Sequence, residues 1–356
     1  MKTALTGHMN FFDVKKCGLY EFGDGDDVAS RGIDLSETLN LIAEWVRTVD
    51  FEDTIPWDPE KSPDTLHDCY CHDLYVADDE IGDFVLVLWK SDKESKGNIW
   101  GRAKNSPFGN LSIVERNNKD KKTKIWGRPC YYWFLPSINI VISIKFENSV
   151  CDTALMQEWI ERAITHRIKH PKKTKSKTPS GQVRFQFDDA AEDAKFIYNF
   201  KARIKSVDTS NAEFSKMAEK VTHIVKRDTM VIAKVKSEAS AWVRAIGSKI
   251  AEPQDNAKSR EVEVRIQARP TAAQLKEIVE AFSSENRKKG DWDNVGFTVD
   301  NQVIWADTYR LHDHIILNAN KSHVVGAAEL YEKLLPQRAK LINMIDKAET
   351  KSKKVA

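Results

Sequence analysis

The sequence predicts an α+β protein: an acidic N-terminal domain with a helix and a β-hairpin, then two successive strand-helix-strand units and a C-terminal helix. Three observations carry this prediction. Apolar residues recur at helical spacing in LSETLNLIAEWVRTV (35–49) and DTALMQEWIERAITHRI (152–168). Apolar and basic residues alternate in KFIYNFKARIKSV (195–207) and REVEVRIQA (260–268), the pattern of strands with one packed and one open face. The charges also segregate along the chain, because residues 1–100 hold 22 acidic and 9 basic side chains whereas the other 256 hold 31 and 46.

In chain order, GLYEFGDGDDVASRG (18–32) reads as a Gly- and Asp-rich loop. Asp34 to Glu37 forms a capping box that opens a helix whose Leu39, Ile42, Ala43 and Val46 face a core. CYCHDLYV (69–76) and DFVLVLWK (83–90), separated by the acidic turn ADDEIG, form a hairpin. IWGR occurs at 99–102 and again at 125–128, without the flanking similarity of a true repeat. Between the copies, RNNKDKKTK (116–124) is an exposed loop. YYWFLPSINIVISIKF (131–146) reads as buried strand broken at Pro136 and Ser137, and Asp152 begins the next helix. Pro171, Pro179 and Gly181 make RIKHPKKTKSKTPSGQVRF (167–185) a loop. The first strand-helix-strand unit is 195–207, SNAEFSKMAEKVTHIVKR (210–227) and TMVIAKVKS (229–237). The second is 260–268, TAAQLKEIVEAFSSENRKK (271–289), NVGFTVD and QVIWADT. A helix over 326–348 closes the chain before a lysine-rich tail. The expected domains are 1–165, a basic linker loop at 166–185, and 186–356.

A chain of 356 residues, 41% hydrophobic, is long enough for a sizeable core. No run of eighteen apolar residues is present and the N-terminal residues lack a hydrophobic leader, so a soluble protein with no direct membrane insertion is expected. Five cysteines without regular spacing point to a reducing cytoplasm rather than a disulfide framework.

Catalytic patterns are weak. His67, Cys69, Cys71 and His72 in LHDCYCHD sit close together, but Cys-x-Cys is not a usual zinc spacing, and ordinary reduced cysteines on a strand are expected. His312, Asp313 and His314 lack a partner that would complete a metal or general-base site. Asp83 with Glu94 and Lys96 mimics a nuclease arrangement, except that the latter two fall on a turn, and Trp292 is a turn aromatic. GDGDD lacks the lysine and the strand-to-helix setting of a phosphate loop. No catalytic residue, metal ligand or cofactor site is therefore assigned, and an enzyme is not the favoured reading.

The cations are more coherent. Lys119, Lys121, Lys122 and Lys124 form one cluster, and Arg167, Lys169, Lys172, Lys173, Lys175, Lys177 and Arg184 form another, with no acidic residue in the second. Gathered on one side with Lys201, Arg203, Lys205, Arg265 and Arg269, they would make six to ten phosphate contacts to duplex DNA, positioning the backbone with little base selectivity. The acidic first hundred residues would cover that surface when DNA is absent. The alternatives are a metal-dependent nuclease effector, or a protein whose acidic surface inhibits a host or phage factor.

The order of LSETLNLIAEW, the CYCHDLYV and DFVLVLWK hairpin, INIVISIKFENSVCDTALMQEWIERA, NFKARIKSVDTSNAEFSKMAEKV and EVEVRIQARPTAAQLKEIVEAF resembles the RexA-like family, the cytoplasmic component of the lambda phage Rex exclusion system. The similarity spans roughly residues 33–345, and the chain departs from that family in its length and in its lysine-rich stretches. What the resemblance implies is a prophage- or bacterium-encoded cytoplasmic DNA-binding protein of phage defence (abortive infection), a homodimer that signals to a membrane or effector partner.

Overall fold

The computed structural model describes residues 3–21, 29–59, 67–78, 80–92, 99–115, 123–177, 183–189, 194–205, 211–231, 259–282, 294–300, 302–306, 311–319 and 324–354. The chain divides into two compact units, one of residues 1–205 with 312–341 and one of 206–311 with 342–356. In chain order the elements of the first unit are β1 (Thr3–Glu21), α1 (Leu35–Val46), β2 (Cys69–Val76), β3 (Phe84–Ser91), β4 (Trp100–Ala103), β5 (Val114–Glu115), β6 (Lys124–Leu135), β7 (Ile140–Lys145), α2 (Thr153–Arg162), β8 (Lys173–Lys177), β9 (Val183–Asp189) and β10 (Ala194–Ile204). The second unit follows with α3 (Asn211–Lys220), β11 (Val221–Val231), β12 (Ser259–Gln267), α4 (Ala272–Phe282), β13 (Asn294–Val299) and β14 (Gln302–Trp305). The chain then returns as β15 (His312–Ala319) and α5 (Ala327–Leu334), and ends in α6 (Arg338–Lys354).

The first unit is an antiparallel sheet of eleven strands, with the main path β2-β3-β6-β7-β1-β10-β9-β8. β1 is its spine. One edge pairs with β7 through residues 8–13, and the other pairs first with β15 through residues 3–10 and then with β10 through residues 12–21. The register against β10 slips between Val14 and Lys16, and on the β7 edge the Val14 amide donates to the Asn139 carbonyl at 2.9 Å. Asn139 is in the left-handed region (φ 51°), which asparagine tolerates, and it closes the turn that joins β6 to β7.

The central strands read as unbroken apolar runs because both faces of the sheet are covered. Leu86, Leu88, Tyr132 and Phe134 pack into one core with Leu39 and Ile42 of α1 and Met156, Trp159 and Ile160 of α2. The helices begin at the caps that the sequence predicts: the Asp34 carboxylate accepts from the Glu37 amide at 2.9 Å and that of Asp152 from the Leu155 amide at 3.0 Å. α2 also shields backbone, since Gln157 accepts from the Ala202 amide at 2.7 Å and Glu161 from the Phe200 amide at 3.4 Å.

On the opposite face, buried polar groups dock the C-terminal segment. Asp73 accepts from the Ala327 amide at 2.7 Å at the start of α5, and Tyr131 accepts from the Val325 amide at 3.1 Å. Asp83, with no exposed side-chain surface, receives a two-pronged contact from Arg338 at 2.8 and 3.1 Å and the Trp133 indole N–H at 3.2 Å. Desolvation pushes the Asp83 carboxyl above its usual range, and its bonds to Arg338 pull it back.

The two IWGR copies meet. Trp100 lies opposite Gly127 and Gly101 opposite Trp126 in the β4–β6 ladder, and a Cβ on Gly101 would come within 2.9 Å of the Trp126 ring.

The second unit is a four-stranded antiparallel sheet, β12-β11-β13-β14. Phe214 and Met217 of α3 and Leu275 and Val279 of α4 form a core with Val295 and Phe297 of the sheet.

These observations correct the α+β prediction, because antiparallel sheet dominates and the expected succession of strand-helix-strand units does not form. β10 belongs to the eleven-stranded sheet and β11 to the four-stranded one, so 195–207 and 221–231 are not partners. THIVKR continues β11 rather than the preceding helix, its β-branched residues being stabilised by ladders on both sides. The final helix breaks at Pro336. The first hundred residues are no separable shield, since they supply β1, β2 and β3 to the sheet that also contains β6, β7 and β10. Among the described residues no helix is long and apolar enough to cross a membrane.

Arg338→Ala leaves the Asp83 carboxylate buried and unpaired, so it is expected to cost about 3–5 kcal/mol in urea unfolding, whereas Asp83→Leu combined with Arg338→Met costs much less. Equal losses for the two variants would show that the ion pair is incidental to docking.

Candidate nucleic-acid interface

The basic stretch that reads as a loop is instead an edge hairpin packed on a helix end. α2 finishes in a wider π-type turn over residues 163–167, where the Ile168 amide donates to the Ala163 carbonyl at 3.0 Å. Arg167 places positive charge where the helix dipole is negative. The Arg167 guanidinium donates to the Ile55 carbonyl at 2.9 Å, and Lys173 Nζ donates to the carbonyls of Ile164 and Ile168 at 2.9 and 2.8 Å. Beyond Pro171 the chain enters β8, where lysines alternate with Thr174 and Ser176, a pattern that suits an edge strand.

The β8–β9 register sets Lys173 opposite Phe187, Lys175 opposite Phe185 and Lys177 opposite Val183, while Arg184 occupies the alternate position opposite Ser176. The ammonium groups of Lys173 and Lys175 lie 5.2 and 5.7 Å from the Phe185 ring centroid, and His166 meets the same ring edge-on at 5.2 Å. Desolvation pushes the Lys173 pKa down to about 8, which leaves it a cation at neutral pH. His166 is held below the usual imidazole range by burial and then by Arg162, Lys173 and Arg167. Lys169, Lys172, Lys175 and Lys177 are exposed. Among the described residues no carboxylate pairs with Lys169, Lys175 or Lys177.

The other cluster is elsewhere. Lys119, Lys121 and Lys122 lie outside the described residues, and Lys124 begins β6 opposite Ala103. β6 and β8 are five ladder steps apart, about 24 Å at about 4.8 Å each. Register carries Leu135 through Ile140 to Asp13, so Lys124 lies toward the Thr3 end of β1, whereas Lys173 is carried through Phe187 and Phe196 to Glu21 at the other end. The structure thus brings residues 167–177 together without bringing Lys124 to them. Lys205 is committed to Asp13 at 2.7 Å. In the second unit Arg265 bonds Glu263 at 3.0 Å, and Arg269 lines an open cleft of about 450 Å³ with Ile224, Pro270, Gln274 and Ile278. The sequence signal for that cleft is only the helix cap at Thr271, which accepts from the Gln274 amide at 3.3 Å. Arg287 to Lys289 lie outside the described residues.

Cys69, Cys71 and His72 are built into the core. Cys69 and Cys71 keep the regular alternation and His72 sits at the bulge that follows, whereas His67 is exposed. His72 Nδ1 lies 2.9 Å from the buried Arg102 guanidinium, and its ring stacks on Trp89 at 5.0 Å. Desolvation holds the His72 pKa well below the imidazole range, and Arg102 adds to that. Asp313 pairs with Lys340 at 2.8 Å and His314 is exposed. Glu94, Lys96 and Trp292 lie outside the described residues, as does the His312 side chain. Among the described residues no group of three or more His, Cys, Asp or Glu is placed to hold a metal ion.

Compared with protein families, with curated proteins and with solved structures, the chain shows no match.

Two expectations test this partition. Lys173→Ala strands two carbonyls and is expected to lower stability by about 1–3 kcal/mol, whereas Lys175→Ala and Lys177→Ala stay within about 0.5 kcal/mol in urea unfolding. The second concerns pH. His72 stays neutral when folded but titrates near pH 6.5 when unfolded, so its contribution is present above about 6.5 and is lost as pH falls. Burial raises the thiols of Cys17, to about 11, and of Cys69, Cys71 and Cys130, so stability is expected to fall above about pH 8.5, by up to about 1.4 kcal/mol per unit for each thiol. Unfolding free energies that stay flat from pH 5 to 10 would contradict both burial arguments.

Proposed function

We propose that the protein binds duplex DNA through phosphates, with the β8–β9 hairpin as the contact surface. The observation that carries this reading is the group of exposed cations Lys169, Lys172, Lys175 and Lys177 on one edge hairpin, backed by the helix-end cations Arg167 and Lys173. Lysines two apart on a strand are about 6.8 Å apart, far enough for successive lysines to meet separate phosphates of a DNA backbone. The contacts are sequence-independent, and the aromatic ring of Phe185 stiffens the lysine stems rather than reading bases. Arg167 and Lys173 serve backbone carbonyls, and the four exposed lysines give the described part of the hairpin about four phosphate contacts.

On the sequence resemblance to the RexA-like family, we propose that this activity serves phage exclusion in a bacterial cytoplasm, with the DNA-bound protein signalling to a membrane or effector partner rather than cutting. The Asp313–Lys340 pair favours binding over metal-dependent cleavage, because it commits the carboxylate beside His314 to a cation.

In a gel-shift titration over salt, changing Lys169, Lys172, Lys175 and Lys177 together to Ala is expected to reduce the slope of log K against log salt by about 3–4 and to weaken binding alike on unrelated sequences. Lys124→Ala leaves the hairpin contribution intact. Unchanged affinity in the four-lysine variant would overturn the assignment, and plasmid cleavage that requires magnesium or manganese would favour the nuclease reading.

A further inference from the structure

β12 is an edge strand of the four-stranded sheet, and among the described residues it pairs only with β11. The Ala268 amide donates to the Thr222 carbonyl at 3.2 Å, one step beyond the His223–Gln267 pair, and this fixes the phase of the ladder. Residues 262, 264 and 266 turn their backbone groups toward β11, so Glu263, Arg265 and Gln267 turn theirs outward. The side chains sort accordingly. Val262, Val264 and Ile266 lie on the face that bears the helices, where Ile266 sits beside Ile224 and is 56% exposed. Glu263 and Arg265 lie on the other face, Arg265 with 57% of its side chain exposed.

We infer that β12 pairs antiparallel with β12 of a second copy of this chain, about a two-fold axis at Val264. In that register Glu263 of each copy lies opposite Arg265 of the other, Val262 opposite Ile266, and Val264 opposite itself. The outward backbone groups of Glu263 and Arg265 then meet as hydrogen-bonded pairs, so the backbone phase and the charge pattern select the same alignment. Shifting the axis to Glu263 or to Arg265 sets like charges against each other, which disfavours those registers. The seam covers the exposed Ile266 with an apolar neighbour and closes after two copies, as an isologous contact must. A single strand pair falls at the small end of specific interfaces, below about 1,200 Å², so the association is concentration-dependent. This inference does not depend on the nucleic-acid reading.

Sedimentation equilibrium of the full chain over a wide concentration range is expected to show the mass rising toward twice the monomer value. Arg265→Pro removes an outward N–H without touching the β11 ladder and is expected to stay monomeric with an unchanged circular dichroism spectrum and Tm. Val264→Cys sets two thiols at a non-hydrogen-bonded pair with Cα atoms about 4.5 Å apart, within disulfide reach, so mild oxidation is expected to give a covalent dimer. Val262→Cys, which faces Ile266 of the second copy, gives none. A monomer at every concentration, an Arg265→Pro variant that still dimerises, or equal cross-linking by the two cysteine variants would overturn the inference and leave the DNA titration unaffected.

Discussion

The first unit exists only because β1 is hydrogen-bonded along both edges. A strand of nineteen residues carries far too many backbone donors and acceptors to leave unpaired in an interior, and no single neighbour is long enough to satisfy them. Three partners divide the task, with β7 on one side and β15 and β10 end to end on the other. Every other strand of the sheet is reached through one of these, including the β8–β9 hairpin that carries the exposed lysines. The position of the candidate DNA surface is therefore a consequence of how β1 is paired, transmitted through β10.

Buried charge is used sparingly, and each time to fix one element against another. Asp73 and Asp83 fasten the segment from Val325 to Arg338, and Arg102 sits under Phe51 with its N–H groups directed at His72 and at backbone carbonyls. Such groups cost free energy to desolvate and return it only through directional bonds, so they select one docking geometry more than they add stability. Lys173 does the same at the end of α2. A lysine that looks in sequence like one more phosphate contact is in the fold a helix cap, which reduces the electrostatic reach of the basic stretch.

Features set by neighbours in sequence were legible. Asp34 and Asp152 cap helices where the residue pattern places them, and the β2–β3 hairpin follows from two β-prone runs about one acidic turn. What depends on distant partners was not. β1 hides its strand character because Gly7, Lys15, Lys16 and Gly18 interrupt any alternation, and its stability comes from strands far along the chain. Pro171, Pro179 and Gly181 argue for a loop, yet the residues between Pro171 and Pro179 include a strand once Phe185 and Phe187 lie alongside. Val221, Ile224 and Val225 fit a helical stripe as well as a strand, and only the ladders to β12 and β13 decide. The lysines of the candidate site could be read from the sequence, but not which of them are already committed to carbonyls.

β15 joins the sheet beside residues 3–10 of β1 although about 300 residues lie between them. During synthesis, β1 leaves the ribosome about 300 residues ahead of its partner and waits for it. Such long-range closure makes for slow maturation, with an apolar strand edge open to wrong partners in the meantime. Truncated products ending before residue 312 should therefore be sticky in the cell, and chaperone supply should govern yield more than codon choice does.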